Sequence, residues 1–123
     1  LHHRYDPEGE ETVAQAKKRV VDESTVLAPL PEDHFECAFG HIFAGGYSAG
    51  YYSYKWAEVL SADAFAAFED AGLEDDNAIK TMGNKFRDTV LAQGGSRHPM
   101  DVFLDFRGRE PSTEALKRHN GLL

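Results

Sequence analysis

Apolar positions recur with a helical period along most of this chain. Within residues 9–26, Val13, Ala16 and Val20 fall at i, i+3 and i+7 with charge on the other faces, which predicts an amphipathic helix. Ala28-Pro29-Leu30-Pro31 ends it, because proline disfavours helix at its own position and at the residue before. Residues 33–44, DHFECAFGHIFA, mix apolar and aromatic side chains without a clear period and fit a strand, a buried loop or a short helix. Gly45-Gly46 break the chain, and residues 49–69 are again strongly helical. After Trp56 this stretch is rich in Val59, Leu60, Phe65, Phe68 and alanine, and a helix apolar nearly all round is a buried one. Residues 70–76 form a break. Residues 77–92 carry Ile79, Met82, Phe86 and Val90 at i, i+3, i+7 and i+11, a core stripe closed by Gly94-Gly95. Short helices at 99–106 and 112–119 complete an all-α pattern over 1–123, with no alternating strand and no repeat.

Composition narrows the partners. Thirteen basic against 21 acidic side chains give a formal charge of −8, which argues against a nucleic-acid surface and against attraction to an anionic membrane. No apolar run reaches the length of a bilayer span. The single Cys37 cannot form an internal disulfide, so a reducing, cytoplasmic compartment is expected, or an organelle if a transit peptide lies upstream. The chain opens on Leu1, as a fragment or a processed piece would. Burying the 49–69 helix on all sides demands more protein than the other short helices supply, which points to a missing partner.

Three groups of residues offer chemistry. Gly46-Tyr47-Ser48-Ala49-Gly50 spells G-x-S-x-G, and Asp101, Asp105 and His119 follow in the order a hydrolase triad needs. That elbow requires a strand before it and a parallel sheet around it, which an all-α chain cannot build, so Ser48 is read as a loop residue. His34, Cys37 and His41 have the spacing H-x2-C-x3-H, a soft-ligand pattern suited to zinc. Phe35 and Phe39 alternate with these groups as in a packed segment, so a buried thiol with two unrelated histidines is preferred. His2 and His3 sit at a ragged end. The tyrosines are the third group. Tyr47, Tyr51 and Tyr54 at i, i+4 and i+7 would share a helix face continuing through Glu58 and Ser61, with Tyr52 pointing elsewhere. Such a row is either a packing stripe or a set of uncharged phenolic donors lining a polar cleft, suited to a carbonyl or a developing oxyanion. Gly45 and Gly46 before it permit close backbone approach and a hinge.

The stretch from Phe39 to Trp56, FGHIFAGGYSAGYYSYKW, resembles the substrate-binding segment of the thimet-oligopeptidase family of zinc metallopeptidases. The resemblance extends through Ser61-Ala-Asp-Ala-Phe65, Gly94-Gly95-Ser96 and Phe106-Arg-Gly-Arg-Glu-Pro111. The terminal Arg118-His-Asn-Gly-Leu122 most resembles oligopeptidase A-like members. It implies a C-terminal helical part of a two-lobed, mainly α-helical enzyme that hydrolyses short oligopeptides. By that resemblance Tyr54 donates to the oxyanion. His41 and Tyr47 contact substrate near the scissile bond, Tyr51 lies beside them, and Gly45 and Gly46 form a mobile loop. Zinc in this family is held by a His-Glu-x-x-His helix, and no such pattern occurs here.

The chain alone is therefore expected to lack a metal site and peptidase activity. Its expected partners are peptide substrates, the missing metal-binding part of the same enzyme and, through exposed apolar helix faces, further copies of itself. Arg107 and Arg109 are expected to form structural ion pairs rather than to hold a substrate carboxylate. The alternative is a non-catalytic helical module whose aromatic stripe binds peptides or a partner protein.

Overall fold

The computed structural model describes residues 6–123, so His2 and His3 lie outside the described residues. The chain divides into two compact units, the first ending at Tyr52 and the second spanning Ser53–Leu123. Among the described residues there is no strand, and the all-α reading holds.

In the first unit, α1 is Val13–Ser24. It starts later than the periodicity suggests because Thr12 supplies the cap. The Thr12 hydroxyl accepts the Gln15 N–H, and the Gln15 side chain accepts the Thr12 N–H at 2.7 Å, so two orphan donors of the first turn are satisfied reciprocally. The apolar stripe of α1 is not covered: Val13 and Val20 are exposed. A different contact ties α1 down. The Lys17 ammonium pairs with Glu36 at 2.7 Å and also donates to the Asp33 carbonyl. Glu36 belongs to α2, Phe35–Ala38, and a 3-10 turn follows at Gly40–Ile42. These two short pieces settle residues 33–44, for which three conformations stood open.

The second unit begins with α3, Ser53–Ala71. The helix expected from residue 49 therefore starts later, and residues 48–52 form turns instead. Gly46 with φ +81° and the turn from the Gly50 N–H to the Tyr47 carbonyl lead the chain in on a non-helical path. Tyr47 and Tyr51 consequently do not share a helix face with Tyr54. The other helices of this unit bury α3 on one side only, in keeping with the expectation that they could not cover all of it. Val59, Ala62, Asp63, Ala66 and Ala67 face inward, whereas Trp56 is 60% and Phe65 49% exposed.

The remaining helices cover one side of α3. Asp75 caps α4, Asp76–Phe86, by accepting the N–H groups of Asn77 and Ala78. α4 passes into a π-helical turn at Arg87–Leu91, closed by the Ala92 N–H on the Arg87 carbonyl. The stripe Ile79, Met82, Phe86 and Val90 is half-buried, as its spacing predicts. α5, Pro99–Arg107, has proline in its first turn, where the missing N–H costs nothing, and stops at Gly108 with φ +74°. α6 is Glu114–His119. The small residues Ala62 and Ala66 of α3 meet Ala115 of α6 with Leu116 beside them, which lets the two helices approach closely. Phe106, 1% exposed, packs its ring against Phe86 with centroids 5.2 Å apart. Burying a side chain of that size contributes about 1.5–3 kcal/mol.

Candidate functional site

Three residues singled out by the sequence come together in the first unit. His41, in the 3-10 turn, stacks on Tyr51 with ring centroids 4.8 Å apart and planes 24° from parallel. Tyr47 meets both of them edge-on, at 5.4 Å from His41 and 5.5 Å from Tyr51, with interplanar angles of 84° and 88°. Phe39 does the same from the α2 side, at 5.4 Å from His41 and 4.7 Å from Tyr51. Edge-to-face contacts place the positive rim of one ring on the negative face of another, and each contributes roughly 0.5–1.5 kcal/mol beyond its buried area. Phe35 extends the series by stacking on Phe39 at 4.9 Å.

The loop between His41 and Tyr47 contains both flagged glycines. Gly45 has φ +89° and Gly46 φ +81°, conformations L side chains rarely adopt. This backbone turns Tyr47 back toward His41. Ser48 and its neighbours lie in turns rather than at a strand-to-helix elbow. Tyr54 stands on the first turn of α3, in the second unit, and is 51% exposed. Of the four aromatic candidates, three thus form one cluster, and the fourth is carried by the other unit.

The zinc-like spacing of His34, Cys37 and His41 does not become a ligand set. His34 lies 3.5 Å from the Glu36 carboxylate and the His41 ring lies against Tyr51, while Cys37 is exposed on α2 and so is not the buried thiol expected. Among the described residues no group of three or more His, Cys, Asp or Glu side chains could hold a metal ion. Lys17, hydrogen-bonded to Glu36, holds that carboxyl below the usual range, aided by a backbone N–H.

The polar centre of the second unit is a residue the sequence reading passed over. Asp63 is 1% exposed. Arg109 donates to both its oxygens, at 2.7 and 2.6 Å, and the Ser112 N–H donates at 2.7 Å. Arg107 Nε lies 3.3 Å from Asp63 Oδ1, and the same guanidinium reaches Asp70 at 3.2 Å. Burial alone would raise the Asp63 pKa. The hydrogen bonds from Arg109 and Ser112 and the two guanidinium charges outweigh it and hold the carboxyl below the ordinary value. These contacts join Ser61-Ala-Asp-Ala-Phe65 to Phe106-Arg-Gly-Arg-Glu-Pro111 and line an open cleft of about 400 Å³. Arg107 and Arg109 thus serve structural ion pairs, as expected. A carboxylate on the inward face of a helix otherwise lined by alanine was the signal for Asp63, read together with the Arg-Gly-Arg sequence. At the far end of α3, Glu69 pairs with Arg118 and with His119, the latter at 3.0 Å, and fastens α6.

The described residues thus form an all-α chain with an aromatic cluster behind a glycine loop in one unit and a buried aspartate clamp in the other. The chain belongs to peptidase family M3, whose family model matches residues 1–122. It is 63% identical over all 123 residues to "Probable cytosolic oligopeptidase A" of Arabidopsis thaliana, covering 18% of that protein. It is also 63% identical over its whole length to "Organellar oligopeptidase A, chloroplastic/mitochondrial" of the same plant, covering 16%. Oligopeptidase A of Escherichia coli K12 is 49% identical over 113 residues, 91% of this chain and 15% of that protein. The chain therefore spans less than a fifth of the length of these curated relatives. Among the described residues no helix is long and apolar enough to cross a membrane.

Proposed function

We propose that this chain is the C-terminal, substrate-facing helical part of a zinc-dependent endopeptidase that hydrolyses short oligopeptides. The observation that carries this reading is the His41–Tyr47–Tyr51 cluster closed by the positive-φ loop at Gly45 and Gly46. Membership of an M3 peptidase family and likeness to proteins named oligopeptidase A support it.

In this reading the chain supplies donors, not the nucleophile. A phenol is uncharged at neutral pH and donates one hydrogen bond, so Tyr54 steadies the oxyanion that forms when the peptide carbonyl is attacked. His41 and Tyr47 contact the peptide beside the scissile bond, with Tyr51 supporting His41 from behind. Gly45 and Gly46 let Tyr47 close on the peptide and withdraw. The described residues do not fit a zinc ion, so in this proposal the metal belongs to another part of the same enzyme. The chain by itself hydrolyses no peptide. Exposed Trp56 and Phe65 mark the faces on which that other part packs, and self-association through them is expected when it is absent. A cytosolic or organellar site of action matches the two plant relatives.

Tyr54→Phe in the complete enzyme is the direct test. It should lower kcat on a quenched-fluorescent oligopeptide by on the order of 10²–10³, with KM little changed. An unchanged kcat/KM would remove the oxyanion role.

A further inference from the structure

Phe39 is not among the residues expected to touch substrate, yet it organises two that are. We propose that Phe39 is a positioning residue that fixes the attitude of the His41–Tyr51 pair toward the peptide, an inference that rests on the function proposed above. His41 and Tyr51 form a near-parallel pair, and two rings, Tyr47 and Phe39, each meet both members edge-on. The two edge-on rings differ in how they are held. Tyr47 is joined to His41 through a loop that contains Gly45 and Gly46, both at positive φ, with no α-helix between them. Phe39 is separated from His41 by Gly40 alone and links α2 to the 3-10 turn that holds His41.

The support behind Phe39 is continuous. Its N–H bonds to the Phe35 carbonyl at 2.9 Å, and its ring stacks on Phe35 at 4.9 Å. The Phe35 N–H is in turn held by Asp33 at 3.0 Å. Lys17 then anchors α2 to α1 through Glu36 and the Asp33 carbonyl. Phe39 is thus the braced ring and Tyr47 the one on the loop. The geometry assigns the braced ring a job that needs an aromatic rim: an edge-on ring orients its neighbour, whereas an aliphatic side chain of equal bulk only fills space.

The test separates orientation from filling. In the complete enzyme, Phe39→Leu keeps apolar bulk and Phe39→Tyr keeps the ring. Phe39→Leu should lower kcat by on the order of 10–10², since a small misplacement of contacting groups is enough to do so, with KM little changed and the melting temperature near the parent's. Phe39→Tyr should restore kcat. The ring-proton resonances of His41 should shift in the leucine variant and return in the tyrosine variant. If Phe39→Leu melts early, Phe39→Met takes its place in the same comparison. Parent-like kcat in the aliphatic variant, or equal loss in both variants, overturns the inference while leaving the proposed function intact. If Tyr54→Phe costs nothing, the proposed function has failed independently, and the His41 resonances decide alone. Unmoved in the aliphatic variant, they overturn the positioning role; moved there and restored by tyrosine, they support it.

Discussion

The two units of this chain solve the problem of holding a shape in opposite ways. In the second, Phe106, the inward alanines of α3 and their neighbours Val102, Phe103 and Ala115 are buried, and a buried carboxylate gathers two guanidinium groups and a backbone N–H. In the first, no described side chain is fully buried. Its order comes from edge-on rings, a capping box and a lysine that bridges α1 to α2. The residues with candidate chemistry lie mostly in that lightly held unit. Segments that must close on a ligand are drawn from the less stable part of a fold, because a segment packed to full density cannot open cheaply. In the proposed function the substrate-contacting residues fall before the boundary between Tyr52 and Ser53, and the oxyanion donor Tyr54 falls just after it, on the first turn of α3.

The largest effect should follow from breaking the second unit at its polar centre. Asp63→Ala removes the acceptor shared by Arg109, Arg107 and the Ser112 N–H. Arg109 is 45% exposed and keeps the Glu110 carbonyl, and Arg107 keeps Asp70, so the cost falls below that of a fully buried pair, at about 2–3 kcal/mol. Urea unfolding followed by helical signal should show the midpoint fall accordingly. A loss below about 1 kcal/mol, the range of exposed ion pairs, would mean that water reaches the clamp.

The same clamp predicts an acid limit. The Asp63 carboxyl has a folded pKa below its unfolded value of about 3.9, so folding is favoured by the ionised form. That contribution is complete above the unfolded value and is lost as pH falls through it toward the folded one. Glu69 shifts in the same direction: burial opposes the shift, while His119 and Arg118 together drive it. Melting temperature measured down a pH series should hold near neutrality and drop below about pH 4. In the Asp63→Asn variant the drop should be shallower, since that group no longer titrates. An equal drop in both proteins would assign the acid limit to other carboxylates.

How much of this was legible beforehand follows from the same contrast. The α4 stripe and the stop at Gly94-Gly95 were readable because period and punctuation are local properties. The start of α3 was not. Alternating tyrosines and serines between residues 47 and 54 satisfy a helical period equally well as turns, and the left-handed glycines upstream decide between the two. Tyr47 and Tyr51 were read from their spacing as one helix face with Tyr54, and His41 entered through resemblance. The rings meet instead because the loop folds back. Asp63 escaped notice because its partners, Arg109 and Ser112, lie more than 45 residues away, and no local pattern encodes a contact at that separation. The apolar character of residues 49–69 was readable, as was the shortage of protein in this chain to cover it. Trp56 and Phe65 are apolar and remain exposed, so hydropathy located a face without saying what covers it.

A smaller effect should come from stiffening the first unit. Gly46 has φ +81°, and a Cβ added there would meet nothing within 4 Å. Alanine at this position therefore fits the space and strains only the backbone, at a cost of about 1–2 kcal/mol. If the loop must adopt this conformation for Tyr47 to meet the peptide, the strain is felt in binding and turnover. In the complete enzyme Gly46→Ala should lower kcat/KM about 5–30-fold, the factor corresponding to that energy. The clamp at Asp63 should keep its acid limit, since Gly46 is not among its contacts. Gly45→Ala is the paired measurement, because its Cβ would rest 3.8 Å from Tyr47 Cδ2 and adds an ordinary contact to the same kind of strain. Equal losses in the two variants would place the effect in the backbone. A loss confined to Gly45→Ala would place it at the tyrosine ring. A stability loss spread over both units would show that the partition between a locked part and a moving part is too sharply drawn.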